Sequence, residues 1–223
     1  MLGGLEPSWP RTEAEALAEQ DRLRVYLRLD LDGPARPRFV AGLDVAYATG
    51  GDRLAAAVVV LDAASLAVVD RAAVVGRSAF PYVPGLFAFR ELPALLDALD
   101  RLTVAPEVLV CDGHGLAHPR RFGLACHLGV LTGLPAFGVG KTPLVGAFDP
   151  PGAERGSTTP LVLDGDEVGR VLRTQRGIKP VYVSVGDRIS LDRATALTLA
   201  LSPRYRLPET TRAADRLSRD ALA

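Results

Sequence analysis

Between Phe39 and Gly76 three apolar runs follow one another with short turns between them, FVAGLDVAYA, RLAAAVVVLD and LAVVDRAAVVG. Small and β-branched side chains dominate them, and the connections carry Gly, Asp and Ser, so the pattern predicts an antiparallel meander of three strands. The period then changes. Residues 82–102, YVPGLFAFRELPALLDALDRL, set Leu86, Phe89, Leu92, Leu95, Leu96 and Leu99 at helical spacing, with Pro84 suited to a first turn. EVLVCD reads as a short buried strand, RRFGLACHLGVLTG as a helix closed by Gly133, and LPAFGVG as strand again. Asp164-Gly165 between apolar runs marks a hairpin, PVYVSVG is a further strand, and LDRATALTLALS and PETTRAADRLSRDALA are helices. A helix over 12–29 precedes the meander and is separated from it by DLDGPARPR. Strands first, then alternating helix and strand, predict an α/β fold with a mixed sheet covered by helices. The 223 residues suffice for one substantial core, so a single domain over 1–223 is expected, with helices 12–29 and 208–220 docked on it.

Charge and cysteine content narrow the classes. No stretch approaches the roughly eighteen apolar residues of a membrane span, and the polar N-terminus is unlike a signal peptide, so a cytoplasmic protein without a membrane partner is expected. Cys111 and Cys126 lack metal-ligand spacing and read as small buried thiols. Basic and acidic residues balance at 26 each, yet from Arg170 onward the balance is 11 basic to 5 acidic. That excess suits either a phosphate-facing surface or a solvated helix face. Only Lys141 and Lys179 are lysine, so a lysine is a more selective signal here than an arginine.

The chemistry begins with acids in apolar surroundings. Asp44 interrupts the first strand, Asp112 ends VLVCD, and Glu91 breaks the apolar start of its helix. A carboxylate at such a position costs several kcal/mol, on the order of a desolvated polar group or more, unless a cation or hydrogen bonds compensate it. Each alone fits a hydrogen-bonded structural acid; the three together point to a divalent metal, Mg or Mn by the oxygen-only donors, and to phosphodiester chemistry. GVGKTPL imitates a phosphate-binding loop, but Pro135 stands where that motif needs glycine and Pro143 where helix should continue. Lys141 instead follows a strand directly, suited to stabilising a phosphate oxyanion, with an ordinary exposed lysine as the competing account. Tyr82 lies between Pro81 and Pro84, a stiff setting for an aromatic that wedges into a base stack or caps the core.

Four stretches, GLDVAY, PYVPGLFAFRELPALL, DGHGLAHPRRFGLACHLGVLTGLPAFGVGK and VYVSVGDRISLDRA, together closely resemble the endonuclease V family over about residues 12–217. The resemblance implies an RNase H-like fold with a mixed five-stranded sheet, its antiparallel meander first, flanked by helices. It also implies a Mg2+-dependent endonuclease, with Mn2+ as a substitute, that recognises deoxyinosine in DNA, and in some members inosine in RNA. Such enzymes hydrolyse the second phosphodiester bond 3′ to the lesion, leaving 3′-hydroxyl and 5′-phosphate ends. Carried over, Asp44, Glu91 and Asp112 match the metal-binding acids and Lys141 the catalytic lysine. Pro81, Tyr82, Val83 and Pro84 match the strand-separating wedge, Gly85 the lesion-recognition loop, and Gly113, His118 and Leu144 segments of the base pocket. Arg120 and Arg121 are expected to meet phosphate, and the chain is expected to act as a monomer.

One position departs from the pattern. Similar sequences read GHRISL where this chain reads GDRISL, which places Asp187 where a histidine near the metals is expected and suggests a second divalent site. A structure-selective nuclease without inosine preference, and a catalytically weak nucleic-acid-binding module, remain open alternatives. Of the three histidines, all between 108 and 130, His127 reads as structural and His118 gains a role through the motif. His114 stays open between a water contact beside Asp112 and a backbone hydrogen bond.

Overall fold

The computed structural model describes residues 5–223; the first four residues of the expected domain lie outside the described residues. The meander forms as read: β1 (Phe39–Tyr47), β2 (Arg53–Asp62) and β3 (Val68–Arg77) pair antiparallel in sequence order. β4 (Val108–Cys111) lies parallel to β1, and β5 (Ala136–Gly140) parallel to β4. The expected five strands are a correction, because the sheet has eight, in the order β3-β2-β1-β4-β5-β8-β7-β6. β8 (Val181–Asp187) adds antiparallel to β5, and the hairpin of β6 (Thr158–Leu163) and β7 (Asp166–Leu172) continues from it. The hairpin turn is Asp164-Gly165, both with positive φ, as a two-residue type I′ connection requires.

Helices cover both faces, and strand alternation dictates which residues meet which. Ala41, Leu43, Leu109 and Cys111 face α2 (Ala88–Asp100) and α3 (Leu124–Thr132), and α1 (Glu13–Arg24) joins that cluster through Ala16 and Leu23. Val40, Val108, Val110 and Phe137 face the side of α4 (Leu191–Ala200). α5 (Glu209–Leu222) shares that side, with Ala214 against Val59 and Leu61. Its approach is close because β1 offers Gly42: a Cβ there would stand 2.2 Å from the Thr210 carbonyl carbon and oxygen. Among the described residues no helix is long and apolar enough to cross a membrane.

Two helix boundaries differ from the sequence reading. α1 ends at Arg24 and not at 29, because the chain is then captured by the end of β8: Arg28 N–H donates to Asp187 at 2.6 Å and Arg188 N–H donates to the Arg28 carbonyl at 2.9 Å. Pro84 does not open α2. It forms with Gly85 (φ +80) the centre of a turn closed by Leu86 N–H donating to the Val83 carbonyl at 3.0 Å, a type II arrangement that holds the chain out of helix until Ala88.

Candidate active site

Parallel pairing brings two acids together. Leu43 stands opposite Cys111, and Asp112 N–H donates to the Leu43 carbonyl at 3.1 Å, so Asp44, within β1, and Asp112, directly after β4, are neighbours. Burial together with the Asp112 charge pushes Asp44 up to about 7. Ser218 of α5 donates to Asp44 Oδ2 at 2.9 Å and opposes that rise. Glu91 comes from α2, on the opposite face of the sheet. It is 6% exposed, and burial plus the charges of Asp44 and Asp112 raise its pKa well above the usual carboxylate range. Among the described residues no three His, Cys, Asp or Glu side chains come together as a group that could hold a metal ion, so Asp44, Glu91 and Asp112 do not converge on one point. The arrangement is an open pair with a third, electrostatically coupled acid behind it.

Lys141 Nζ is hydrogen-bonded to Asp112 Oδ2. Desolvation works to lower its pKa, but the hydrogen bond and charge of Asp112 prevail and raise it, so the ammonium persists at neutral pH. The lysine directly follows β5, and two contacts fix the segment that carries it. The His114 ring lies against Gly140, where a Cβ would sit 2.4 Å from Cε1, and His114 Nε2 bonds the Thr142 carbonyl at 3.1 Å. This settles the open question about His114 in favour of a backbone partner; burial lowers its pKa, which keeps the ring neutral. Arg206 donates to the carbonyls of Lys141 and Pro180 from the other side.

A file of aromatics leads from the acids to the expected wedge. Tyr47 OH donates to Glu91 Oε1 at a long 3.5 Å, its ring lies 5.9 Å from Phe87, and Phe87 lies 6.0 Å edge-on from Tyr82. Tyr82 is 69% exposed between exposed Pro81 and Pro84, with Val83 half-buried beside them, so the segment projects from the surface. Gly85 and His118 meet, as a Cβ on Gly85 would lie 3.9 Å from His118 Nε2, and burial pushes that imidazole down to about 4. Gly113 has φ +147 at the strand exit beside Asp112, and Leu144 is 51% exposed three residues after Lys141.

Three of the expected residues have partners within the protein. Asp187 stands opposite Ala136 at the start of β5, whereas Lys141 follows its other end, where Gly140 pairs with Tyr182. Its carboxylate is fully buried, accepting from Arg28 N–H at 2.6 Å and paired with Arg188 at 3.2 Å, so it serves as a structural anchor far along the strand from the acid pair. Arg120 is committed to α1, donating to Gln20 Oε1 at 2.8 Å and Asp21 Oδ1 at 2.7 Å. Arg121 donates to the Leu163 carbonyl at 2.7 Å, with Asp164 and Asp166 nearby. Both arginines tie the 113–123 loop to its neighbours. His127 is structural, as read: it is fully buried between Phe89 and Phe122, with ring centroids 4.9 and 4.5 Å away. The thiols of Cys111 and Cys126 are free and buried.

Asp215 went unnoticed in the sequence. It lines the same cleft of about 660 Å³ as Asp44, Asp112 and Lys141, and its charge contributes to the rise of Asp44. A lone acid within the polar face of an amphipathic helix carries no spacing signal; only the docking of α5 over Gly42 brings it and Ser218 to the acids.

The comparisons with known proteins agree with this geometry. A family profile described as Endonuclease V matches residues 21–216. An Endonuclease V of Streptomyces avermitilis is 60% identical over 215 residues, covering 96% of this chain and 94% of that protein. The crystal structure of Endonuclease V from Streptomyces avermitilis superposes with a TM-score of 0.93 at 59% identity, covering 98% of this chain and 96% of the other. Endonuclease V of Ciona intestinalis, in complex with a 24mer DNA containing an inosine followed by a ribo-adenosine, shares the fold at 24% identity and a TM-score of 0.81, over 94% of this chain and 97% of that one. With the family profile spanning nearly its whole length and a relative 60% identical over 96% of it, the chain belongs to the endonuclease V family and is an endonuclease.

Proposed function

We propose that this endonuclease recognises deoxyinosine in DNA and hydrolyses the second phosphodiester bond on its 3′ side, with a divalent cation as cofactor. The observation that carries the chemistry is the pairing of Asp44 with Asp112, in which burial first and repulsion by the neighbouring Asp112 charge second raise the proton affinity of Asp44. A cation between them relieves that repulsion, and donors that are all oxygen suit Mg2+, with Mn2+ as a substitute. Asp44 and Asp112 would hold it, with Glu91 adding negative charge from the opposite face. When bound, the cation neutralises charge on the phosphate oxygens and lowers the pKa of water. Ser218 keeps one Asp44 oxygen oriented, and Lys141, held by Asp112, offsets charge that develops on the phosphate.

The order β3-β2-β1-β4-β5, with one acid within the central β1 and its partner directly after the adjacent β4, supports an RNase H-like reading of the first five strands. Selection of the base falls to the region of Gly85, Gly113, His118 and Leu144. A projecting Tyr82 that fills the gap left by an extruded base favours this over nuclease action without base preference. The inosine-bound relative is consistent with the same substrate class here. Matched oligonucleotides with and without inosine, as DNA and as RNA, with and without Mg2+, test the reading. Cutting directly after the one residue that follows deoxyinosine on its 3′ side, dependent on Mg2+, is expected; equal cutting of inosine-free DNA would overturn it, and preferential cutting of RNA would reassign the substrate.

A further inference from the structure

We infer that the arginine face of α5 is a seat for the sugar-phosphate backbone of the substrate strand where that strand leaves the acid cleft. The inference rests on the nuclease reading and extends it to a surface that the acids, the lysine and the wedge do not include. A second cleft of about 240 Å³ adjoins the first and shares Asp112, Lys141, Asp215 and Arg219 with it, so the two form one continuous path. Its cationic lining consists of Lys141, Arg212, Arg216 and Arg219, against Asp112 and Asp215. In a helix, positions four and seven residues apart share a face, so the three arginines rise along one side of α5 at about 6 and 10.5 Å from Arg212.

Two observations separate this row from an ordinary solvated helix face. The Arg212 guanidinium sits 3.5 Å over the Tyr205 ring and is therefore held in place before any ligand arrives. The loop that presents Tyr205 is itself fixed, since Gln175 Nε2 donates to the Tyr205 carbonyl at 3.0 Å and Thr174 Oγ1 to the Arg206 carbonyl at 2.7 Å. Arg216 is exposed and forms no ion pair among the described residues. Arg219 pairs with Asp215 at 2.8 Å from an exposed position, weak and screened, and the half-buried Arg212 pairs with Glu209 at 3.4 Å; both are contacts within one helix that a phosphate oxygen can displace. Guanidinium forks match phosphate in a way that is independent of base identity. The basic excess beyond Arg170 thus acquires a place and a ligand.

The test is equilibrium binding of single-stranded deoxyoligonucleotides of one length, with and without inosine, in the absence of divalent cation and over a range of salt. Removing one arginine–phosphate pairing should lower the slope of log affinity against log salt by about 0.7 and weaken binding roughly fivefold near 0.1 M salt. Arg216→Ala is expected to show one such step and Arg212→Gln with Arg216→Ala two, for both oligonucleotides alike. Unchanged slopes, or weaker binding at an unchanged slope, would overturn the inference. Arg216→Ala alone decides the matter if the double variant melts early, because its side chain is solvent-exposed. A wild-type protein without inosine preference would instead refute the base specificity, while a fall in slope would still uphold the backbone seat.

Discussion

His127 should make this protein acid-labile, and its replacement should remove a defined share of that lability. The ring is fully buried on α3 between Phe89 and Phe122, neither nitrogen has a hydrogen-bond partner, and burial pushes its pKa down to about 3 from the ordinary 6.5. The group is a base with a depressed folded pKa, so between pH 6.5 and 3 the unfolded chain holds the extra proton. Stability therefore rises with pH across that window and is lost as pH falls through it. At pH 7 the penalty is near zero; at pH 5 the unfolded state gains about RT ln(1 + 10^1.5), roughly 2 kcal/mol. For a chain of this size that corresponds to a fall of about 4–8 °C in Tm. Urea unfolding at pH 7 and pH 5 of the wild type, His127→Phe and His127→Leu measures it, and the difference between the two pH values cancels whatever the new side chain changes in packing. Both variants should lose about 2 kcal/mol less than the wild type on acidification. Identical pH dependence in all three proteins would refute the claim that this imidazole is neutral and desolvated in the fold.

Asp112→Asn should lower cleavage by more than about a hundredfold, beyond the loss typical of a residue that merely supports a metal ligand, while inosine-DNA binding measured without divalent cation persists. Ser218→Ala removes the donor that holds the Asp44 carboxylate ionised, so the Mg2+ concentration for half-maximal cleavage should rise and the acid limb of the pH profile should move upward. Gly42→Val drives side-chain atoms into the Thr210 backbone, and thermal melting should show a loss of about 1–3 kcal/mol together with lost cleavage as α5 is displaced. Asp187→Ala should leave the Mg2+ and Mn2+ titrations of cleavage unchanged but cost about 1–3 kcal/mol in urea unfolding, because Arg28 N–H loses its buried acceptor.

Much of the framework is local in origin and was legible from residue order. Apolar β-branched runs, turn residues and a closing glycine marked β1 to β3, the Asp164-Gly165 hairpin and α3, since each is set by side chains within about ten residues of one another. Buried carboxylates are conspicuous in apolar strands because their desolvation needs an explanation, and Asp44, Glu91 and Asp112 were visible for that reason. Tertiary structure alone decided the rest. Whether the sheet stops at five strands or continues to eight depends on the free edge of β5, which β8 fills from some forty residues away. Asp187 sits in a strand as apolar as that of Asp44, yet antiparallel pairing carries it to the wrong end of the sheet, where Arg28 and Arg188 hold it. Asp215, Ser218 and the arginines of α5 gained their meaning only when that helix settled over Gly42. A sequence states which groups require partners; chain direction and helix docking determine which partners they find, because those depend on contacts between residues far apart in the chain.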